Sequence, residues 1–232
     1  MFHREVLVSS PQNALEEFFR AVQSGDAPTV RKTIAADSEL LVAKYSHNQT
    51  PVLAAAYHGQ NQVAELLVAQ GAPLDLAEAA ALGKLDPVKQ FVAADVSLAR
   101  SYSPDGFPVC ALAAAFGQLQ VVEYLLQHGA DVNAAASNGT GYTALTGAVT
   151  GGHEKIVSLL LENGANVNYR YGPGYSPLLA AAANGHLAIV KRLLEHGADP
   201  QVQANDGTTP LSVAESRGHH EVASHLKNIQ RA

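Results

Sequence analysis

Histidines are the first side chains in this sequence that suggest chemistry, because ten of the 232 residues are histidines. An imidazole can ligate a transition metal or transfer a proton near neutral pH. The one dense group comprises His219, His220, Glu221 and His225. On a helix, Glu221 and His225 would be four residues apart on one face, where they could share a metal ion. This C-terminal histidine cluster supports an alternative hypothesis, that of a metal-binding or enzymatic protein.

Other signs of catalysis are weak. The single cysteine, Cys110, stands between apolar residues and fits a small buried side chain better than a nucleophile. The sequence has no glycine-rich phosphate loop and no nucleophile elbow. His128 and His196 precede Gly-Ala pairs where helices are expected to end, and a cation suits that end of a helix dipole. We therefore assign no catalytic residue, no metal site and no cofactor, and we interpret the chain as non-enzymatic.

A second group of side chains suits binding, since tyrosine and arginine are enriched at the energetic centres of protein interfaces. Phe107, Tyr142 and Tyr175 stand 35 and 33 residues apart, which suggests equivalent positions in a repeated unit. Rings packed on neighbouring loops would merely stiffen such a row, and this alternative stays open. The candidate contact residues are Phe107, Tyr142, Tyr169, Arg170, Tyr171 and Tyr175, with Tyr57, Phe116 and Arg217 as a second rank.

A recurring glycine explains the spacing of these rings. An Ala-rich segment precedes each glycine, and an apolar segment with i, i+3, i+4 spacing follows it. A period near 33 residues is typical of stacked helical repeats. The pattern predicts an all-α solenoid of helix-turn-helix units with protruding loops. The ladder glycines are Gly25, Gly59, Gly83, Gly117, Gly152, Gly185 and Gly218.

The unit from Tyr175 to Asp199 contains the signals for both helices. Ser176 suits a helix N-cap and Pro177 the first helical turn. Gly185 follows the first helix and Gly197 the second, as expected of glycine C-terminal stops.

This unit resembles the ankyrin repeat, in which a hairpin loop leads to a helix that opens with Thr-Pro-Leu-His. A Gly-His turn and a second helix follow, and Gly-Ala-Asp-Val-Asn closes the unit. Thr50-Pro51, Ser176-Pro177 and Thr209-Pro210 match the opening, and 129–133 and 164–168 match the close. The resemblance covers about residues 13–229. It implies a protein-binding module that docks a partner on the concave face of its hairpins and first helices.

The resemblance also gives several polar residues a structural role. His153, His186 and His219 occupy the Gly-His turn, and Asn133 and Asn168 occupy the Val-Asn position. We interpret all five as structural residues.

The domain prediction is an N-terminal tail over 1–12 and a single ankyrin-repeat domain over 13–232. The first and last units are expected to be caps. The seven units are about 13–45, 46–74, 75–102, 103–135, 136–170, 171–203 and 204–232.

The third unit is about nine residues short, so we expect no hairpin there. Asp75 should lead almost directly into the first helix, and Asp86-Pro87 should start the second. Ala35-Ala36-Asp37 recurs as Ala93-Ala94-Asp95, 58 residues later, which indicates a duplicated pair of units. The missing hairpin should leave a notch, and a pocket there is another place for the alternative metal-binding or enzymatic function.

Charge and hydropathy limit the partners. The net charge is -6 without a long run of either sign, so we expect no nucleic-acid partner. No run approaches the roughly 18 apolar residues of a membrane span. The first eight residues lack a signal peptide's apolar core, so we expect a cytoplasmic protein. The leading hypothesis is a monomeric adaptor that binds a protein of unknown identity, and the remaining alternative is a self-associating scaffold.

Overall fold

The structure of the chain, a computed structural model, describes residues 11–230. Within that range it contains fourteen α-helices and no extended strand, which confirms the predicted all-α solenoid class. None of these helices combines the length and the apolar character needed to cross a lipid bilayer. The helices are α1 (Pro11–Ser24), α2 (Ala27–Ala36), α3 (Pro51–Tyr57), α4 (Asn61–Ala69), α5 (Leu76–Ala81), α6 (Leu85–Ala94), α7 (Val109–Ala115), α8 (Leu119–Gln127), α9 (Ala144–Thr150), α10 (Glu154–Glu162), α11 (Pro177–Ala183), α12 (Leu187–Glu195), α13 (Pro210–Ser216) and α14 (His220–Gln230).

The chain divides into two compact units, Met1–Glu78 and Ala79–Ala232. In the second unit, α7, α9, α11 and α13 form one layer of successive neighbours, and α8, α10, α12 and α14 form the other. In the first unit, α1 packs on α3 and α2 on α4. The prediction of a single domain over 13–232 stays a prediction. Most of the predicted tail over 1–12 lies outside the described residues, and α1 begins at Pro11.

A left-handed glycine separates the two helices of each pair. The ladder glycines all have positive φ, between 69° and 79°, a conformation that glycine adopts without steric cost. After α9, for example, the N–H of Gly152 donates to Val149 O at 3.2 Å and that of His153 to Ala148 O at 2.9 Å. These bonds satisfy carbonyls at the helix end. The second helix then begins two residues after the glycine in every pair.

That geometry corrects one sequence prediction. The second helix of the third unit begins at Leu85 with Lys84 as its N-cap, and not at Asp86-Pro87. The N–H of Lys84 donates to Ala79 O at 2.8 Å, and that of Leu85 donates to Gly83 O at 2.9 Å. The glycine turn therefore sets the helix start whatever the following side chains are. Pro87 is accommodated because it lies within the first turn, where N–H groups have no partner inside the helix.

The core consists of the largely buried first helices of the internal units and the inner faces of the second helices. Every residue of α11 is buried, as expected for an Ala-rich helix that packs between α9 and α13. In α12, by contrast, the buried residues are Ile189, Val190 and Leu193, on one face. Small side chains in the first layer allow adjacent units to approach closely.

The structure repeats at the 58-residue offset that the sequence indicated. The bounds of α2, α3 and α4 coincide with those of α6, α7 and α8 when shifted by 58 residues. After α2, Asp37 accepts a hydrogen bond from the N–H of Glu39 at 3.0 Å and caps a 3₁₀ turn. After α6, Asp95 does the same for Ser97 at 2.9 Å. The duplication is thus present in the helix bounds and the caps as well as in the amino-acid sequence.

The third unit has no hairpin before its first helix, as expected. Helix α5 begins one residue after Asp75. The N–H of Glu78 donates to the Asp75 carboxylate at 2.9 Å, and the N–H of Asp75 donates to the Glu78 carboxylate at 2.6 Å. This reciprocal cap replaces the Thr-Pro opening of the standard units.

Candidate partner-binding site

Two of the predicted tyrosines close one loop of the second compact unit. The N–H of Tyr171 donates to Tyr175 O at 3.0 Å, and the N–H of Tyr175 donates to Tyr171 O at 2.9 Å. The intervening Gly-Pro-Gly sequence allows the reversal, with Gly172 and Gly174 both at positive φ. The loop therefore holds both tyrosines at its base.

The rings of three successive units form a continuous chain, here called the aromatic row and defined by Phe107, Tyr142, Tyr171 and Tyr175. The ring centroids of Phe107 and Tyr142 are 6.5 Å apart with an interplanar angle of 81°. Those of Tyr142 and Tyr171 are 5.3 Å apart, and those of Tyr171 and Tyr175 are 6.5 Å apart. Such edge-to-face and tilted arrangements are the favoured geometries of aromatic pairs. All four side chains are half-buried.

Backbone hydrogen bonds connect the loops that present the row. The N–H of Ser137 donates to Gly106 O at 2.8 Å, one loop earlier. The N–H of Asn205 donates to Pro173 O at 3.0 Å, in the next pair of loops. Within the lengthened loop before α9, Ala136 N–H donates to Tyr142 O at 2.7 Å. These bonds restrict how far the aromatic side chains can move apart.

A pocket of about 430 Å³ opens beside the row. Its lining combines the tyrosine rings with the C-terminal ends of α9, α11 and α13. Arg217 is one of the lining residues, and its Nη1 donates to Ala183 O at 3.1 Å. The pocket is lined by Thr140, Tyr142, Thr150, Tyr171, Gly172, Pro173, Tyr175, Ala180, Ala183, Asn184 and Arg217.

The central tyrosine of the row stays neutral. Burial raises the pKa of the Tyr171 hydroxyl well above its ordinary value of 10, and the neighbouring Tyr142 and Tyr175 hydroxyls raise it further. The hydroxyl can therefore donate or accept a hydrogen bond at physiological pH without carrying charge.

Four of the nine predicted contact residues line the pocket: Tyr142, Tyr171, Tyr175 and Arg217. Phe107 extends the row beyond it. Arg170 instead donates to Gln203 O at 2.5 Å on the next loop. The Tyr169 hydroxyl approaches Gly141, within 3.4 Å of where a Cβ would stand. Arg170 therefore joins its loop to the next one.

The remaining two candidates are not among the residues that line the pocket. Phe116 is half-buried at the C-terminal end of α7. Tyr57 is half-buried at the end of α3, in the other compact unit. Sequence reasoning did not select Thr140, Thr150 or Asn184, which are too small to stand out as anchors. Their positions at a loop tip and at the ends of first helices were the available signal.

The histidines of the glycine turns join neighbouring units. The Nε2 of His153 lies 3.0 Å from Ala115 O, and that of His219 lies 3.0 Å from Ala183 O. Because a carbonyl oxygen only accepts, each imidazole must donate from Nε2. Gln60 and Gln118 make the equivalent bonds, to Gln23 O at 3.2 Å and Ala81 O at 3.0 Å. These bonds confirm the structural role predicted for His153 and His219.

The alternative hypothesis of a metal-binding or enzymatic protein gains no support. Among residues 11–230, no group of three or more His, Cys, Asp or Glu side chains is arranged to hold a metal ion. Cys110 is buried, and burial raises the pKa of its thiol to about 12, so it stays protonated and unreactive.

Comparison with known proteins agrees with the geometry. Protein-family models described as ankyrin repeat, ankyrin repeats (3 copies) and ankyrin repeats (many copies) match residues 47–79, 76–171 and 160–214. The chain is similar to "Ankyrin repeat and KH domain-containing protein mask-1" of Caenorhabditis elegans, with 33% identity over 173 residues. That similarity covers 72% of this chain but only 6% of the relative. Ankyrin repeats are generally non-enzymatic protein–protein interaction modules. By its glycine turns, its paired helices and these matches, the chain belongs to the ankyrin repeat family.

Proposed function

We propose that the chain is a non-catalytic adaptor that binds a protein partner on the hairpin and first-helix face of its second compact unit. The observation that carries this proposal is the aromatic row, which runs unbroken over three units and borders a pocket of about 430 Å³. Half-buried tyrosines at such a pocket offer a large apolar area with a polar end, which is typical of interface anchors.

Preorganisation of the loops favours binding over a purely structural role. Binding costs free energy when mobile side chains and loops must be ordered. Here the loops are already joined by the Ser137–Gly106 and Asn205–Pro173 hydrogen bonds. A partner would therefore bind loops that are already ordered, so binding would not have to supply the free energy of ordering them.

The proposal includes the finer predictions on state and location. We infer a monomer in the cytoplasm, with a protein partner and without a nucleic acid or a membrane. Light scattering over a range of protein concentrations tests the monomer. A mass that rises to that of a dimer would favour the self-associating scaffold instead.

The test of the binding face is a double substitution in the row. We expect Tyr142→Ala with Tyr175→Ala to weaken binding at least about ten-fold, because both pocket-lining rings are lost. The partner is first isolated on the immobilised wild-type protein, and its affinity is then measured by calorimetry with purified components.

Tyr102→Ala is the matched control. Tyr102 is an exposed tyrosine, 46% accessible, on the loop before α7 and outside the row. It should leave the affinity unchanged. Equal affinities for the double variant and the wild type would contradict the proposed face, and so would equal losses for the double variant and Tyr102→Ala.

A further inference from the structure

The pocket beside the aromatic row has a defined charge. Arg217 is its one charged lining residue, and the lining contains no carboxylate. The chain as a whole carries a net charge of -6, so a pocket with a single cation and no anion differs from the average surface. Charge complementarity therefore favours an anionic group in the occupant.

Arg217 is available for such a group. Among residues 11–230 no carboxylate pairs with it, and the acid nearest in sequence, Glu215, pairs with Lys227 at 2.6 Å. Its guanidinium is held by one hydrogen bond, from Nη1 to Ala183 O at 3.1 Å. Because a guanidinium has five N–H donors, the others remain for a ligand. The bond to Ala183 O thus positions the Arg217 side chain and leaves its other N–H donors for a ligand.

The neutral groups of the pocket are donors as well. The hydroxyls of Tyr142, Tyr171 and Tyr175 make no hydrogen bond to the described part of the chain, and neither does the Asn184 amide. The hydroxyl protons of Thr140 and Thr150 are already engaged, with Asn138 at 2.7 Å and Thr146 O at 2.8 Å. The donors left for a ligand among the lining residues are therefore the three tyrosine hydroxyls, the Asn184 amide and the Arg217 guanidinium.

We propose that this pocket binds the carboxylate of an aspartate or glutamate side chain in a segment of the protein partner. The inference rests on the proposed function and adds the chemistry of the anchor. Arg217 pairs with the carboxylate, and the tyrosine rings cover an apolar residue beside it. Arginine is suited to this task because its planar fork matches a carboxylate.

Two features select a carboxylate side chain over related anions. A phosphate group carries nearly two charges and is bound in proteins by clusters of arginines, whereas this pocket has one. A C-terminal carboxylate would end the segment at the pocket. The aromatic row instead continues from Tyr142 to Phe107, so the surface extends past the pocket and suits a segment that passes through it.

A random peptide library displayed against the full chain tests the proposal. We expect the wild type to select peptides with Asp or Glu at a fixed distance from an apolar residue. Arg217→Gln keeps a side-chain N–H donor but removes the charge, so it should bind those peptides at least about ten-fold more weakly. Arg192→Gln is the matched control, since Arg192 pairs with Glu195 on α12, away from this pocket.

A change in the peptide tests the same contact on unaltered protein. Replacing the selected Asp by Asn, or Glu by Gln, should weaken wild-type binding about as much as Arg217→Gln does, and the two changes together should add little. This arm stays informative if Arg217→Gln unfolds, which its thermal unfolding midpoint would reveal.

The outcomes separate the inference from the proposed function. Selected peptides that need Tyr142 and Tyr175 but contain no fixed acidic residue would overturn the carboxylate anchor alone. The anchor is likewise contradicted if acidic peptides bind Arg217→Gln as tightly as the wild type, or if amidation of the peptide C-terminus abolishes binding. Peptides that bind without any need for Tyr142 or Tyr175 would contradict the proposed face itself.

Discussion

At the scale of single residues, two asparagines join neighbouring repeats through both ends of their amides. The Nδ2 of Asn133 donates to Gly164 O at 3.1 Å, and its Oδ1 accepts from the N–H of Asn166 at 2.8 Å. Asn168 does the same one unit later, with Gly197 O at 3.0 Å and the N–H of Asp199 at 2.9 Å. Each side chain thus satisfies one donor and one acceptor of the next unit, which confirms the structural role predicted for these positions.

We expect Asn168→Ala to lower the free energy of unfolding by about 1–2 kcal/mol, since two hydrogen bonds between units are lost. Urea denaturation measures the change. Asn228→Ala is the control, because Asn228 is an exposed asparagine on α14. Its substitution should change stability by less than about 0.5 kcal/mol. Equal changes in the two variants would mean that the bridging bonds contribute nothing.

At the scale of elements, the close packing of α7 against α9 depends on a glycine inside a helix. A Cβ at Gly147 would lie 3.0 Å from Ala115 Cβ and 3.2 Å from Ala111 O. Both distances are shorter than ordinary contact, and the second involves backbone that cannot rotate away. The absence of a side chain at this position therefore sets the spacing of the two helices.

Gly147→Ala should have two opposing effects on stability, one through helix propensity and one through the packing of α7 against α9. Alanine improves helix propensity by about 1 kcal/mol, whereas overpacking a tight core costs about 1–3 kcal/mol. We expect a net loss of about 1 kcal/mol in thermal or urea unfolding, because the atoms in the way belong to a neighbouring helix. Ala115→Gly should recover part of that loss in the double variant. A variant more stable than the wild type would show that α7 moves aside freely.

The elements were largely predictable from the sequence because they depend on local chemistry. The ladder glycines, the Thr-Pro and Ser-Pro caps and the apolar spacing are short-range signals, and they identified the helix pairs. The start of α6 was misjudged because Asp86-Pro87 resembles a helix opening, while the glycine turn at Gly83 places the start at Leu85. The glycine turn, whose geometry is shared by all units, therefore sets the start of α6 in place of the local Asp-Pro motif.

The pocket was harder to predict, because three separate segments form it. Periodicity placed Tyr142 and Tyr175 in one row, but the position of Tyr171 depends on an irregular Gly-Pro-Gly loop that no other unit contains. Sequence alone also did not separate Tyr171, which lines the pocket, from Tyr169, which does not. Neighbours in sequence point to different surroundings, and only the folded loop distinguishes them.

At the scale of the whole molecule, the pH dependence of stability contains opposing contributions. Hydrogen bonds from Thr29, Ser97 and Thr208 lower the pKa values of Asp26, Asp95 and Asp206 below 3.8. Their stabilisation is present above that value and is lost as the pH falls through the lowered pKa values. Glu78 acts in the opposite direction, because burial raises its pKa above 4.5 despite hydrogen bonds from Thr50 and from the Asp75 N–H that favour the charged form. The neighbouring Asp75 carboxyl raises the pKa of Glu78 further.

The sign for Glu78 follows from proton linkage. A carboxyl with a higher pKa in the folded state holds its proton more tightly there than in the unfolded chain. Its favourable contribution is complete below the unfolded pKa, near 4.5, and is lost as the pH rises through the raised value. As the pH rises, ionisation of Glu78 in the folded chain places charge on a carboxyl group that is only 3% exposed, which costs free energy.

Glu78→Gln should remove that cost while it keeps an oxygen that can accept the Asp75 N–H. We expect the variant to gain stability over the wild type as the pH rises from about 4 to about 8, measured by urea denaturation at each pH. Glu123→Gln, on the exposed face of α8, is the control and should change the free energy of unfolding by less than about 0.5 kcal/mol at neutral pH. If the wild type instead gained on Glu78→Gln with rising pH, the hydrogen bonds from Asp75 and Thr50 would outweigh burial, and the pKa of Glu78 would be lowered.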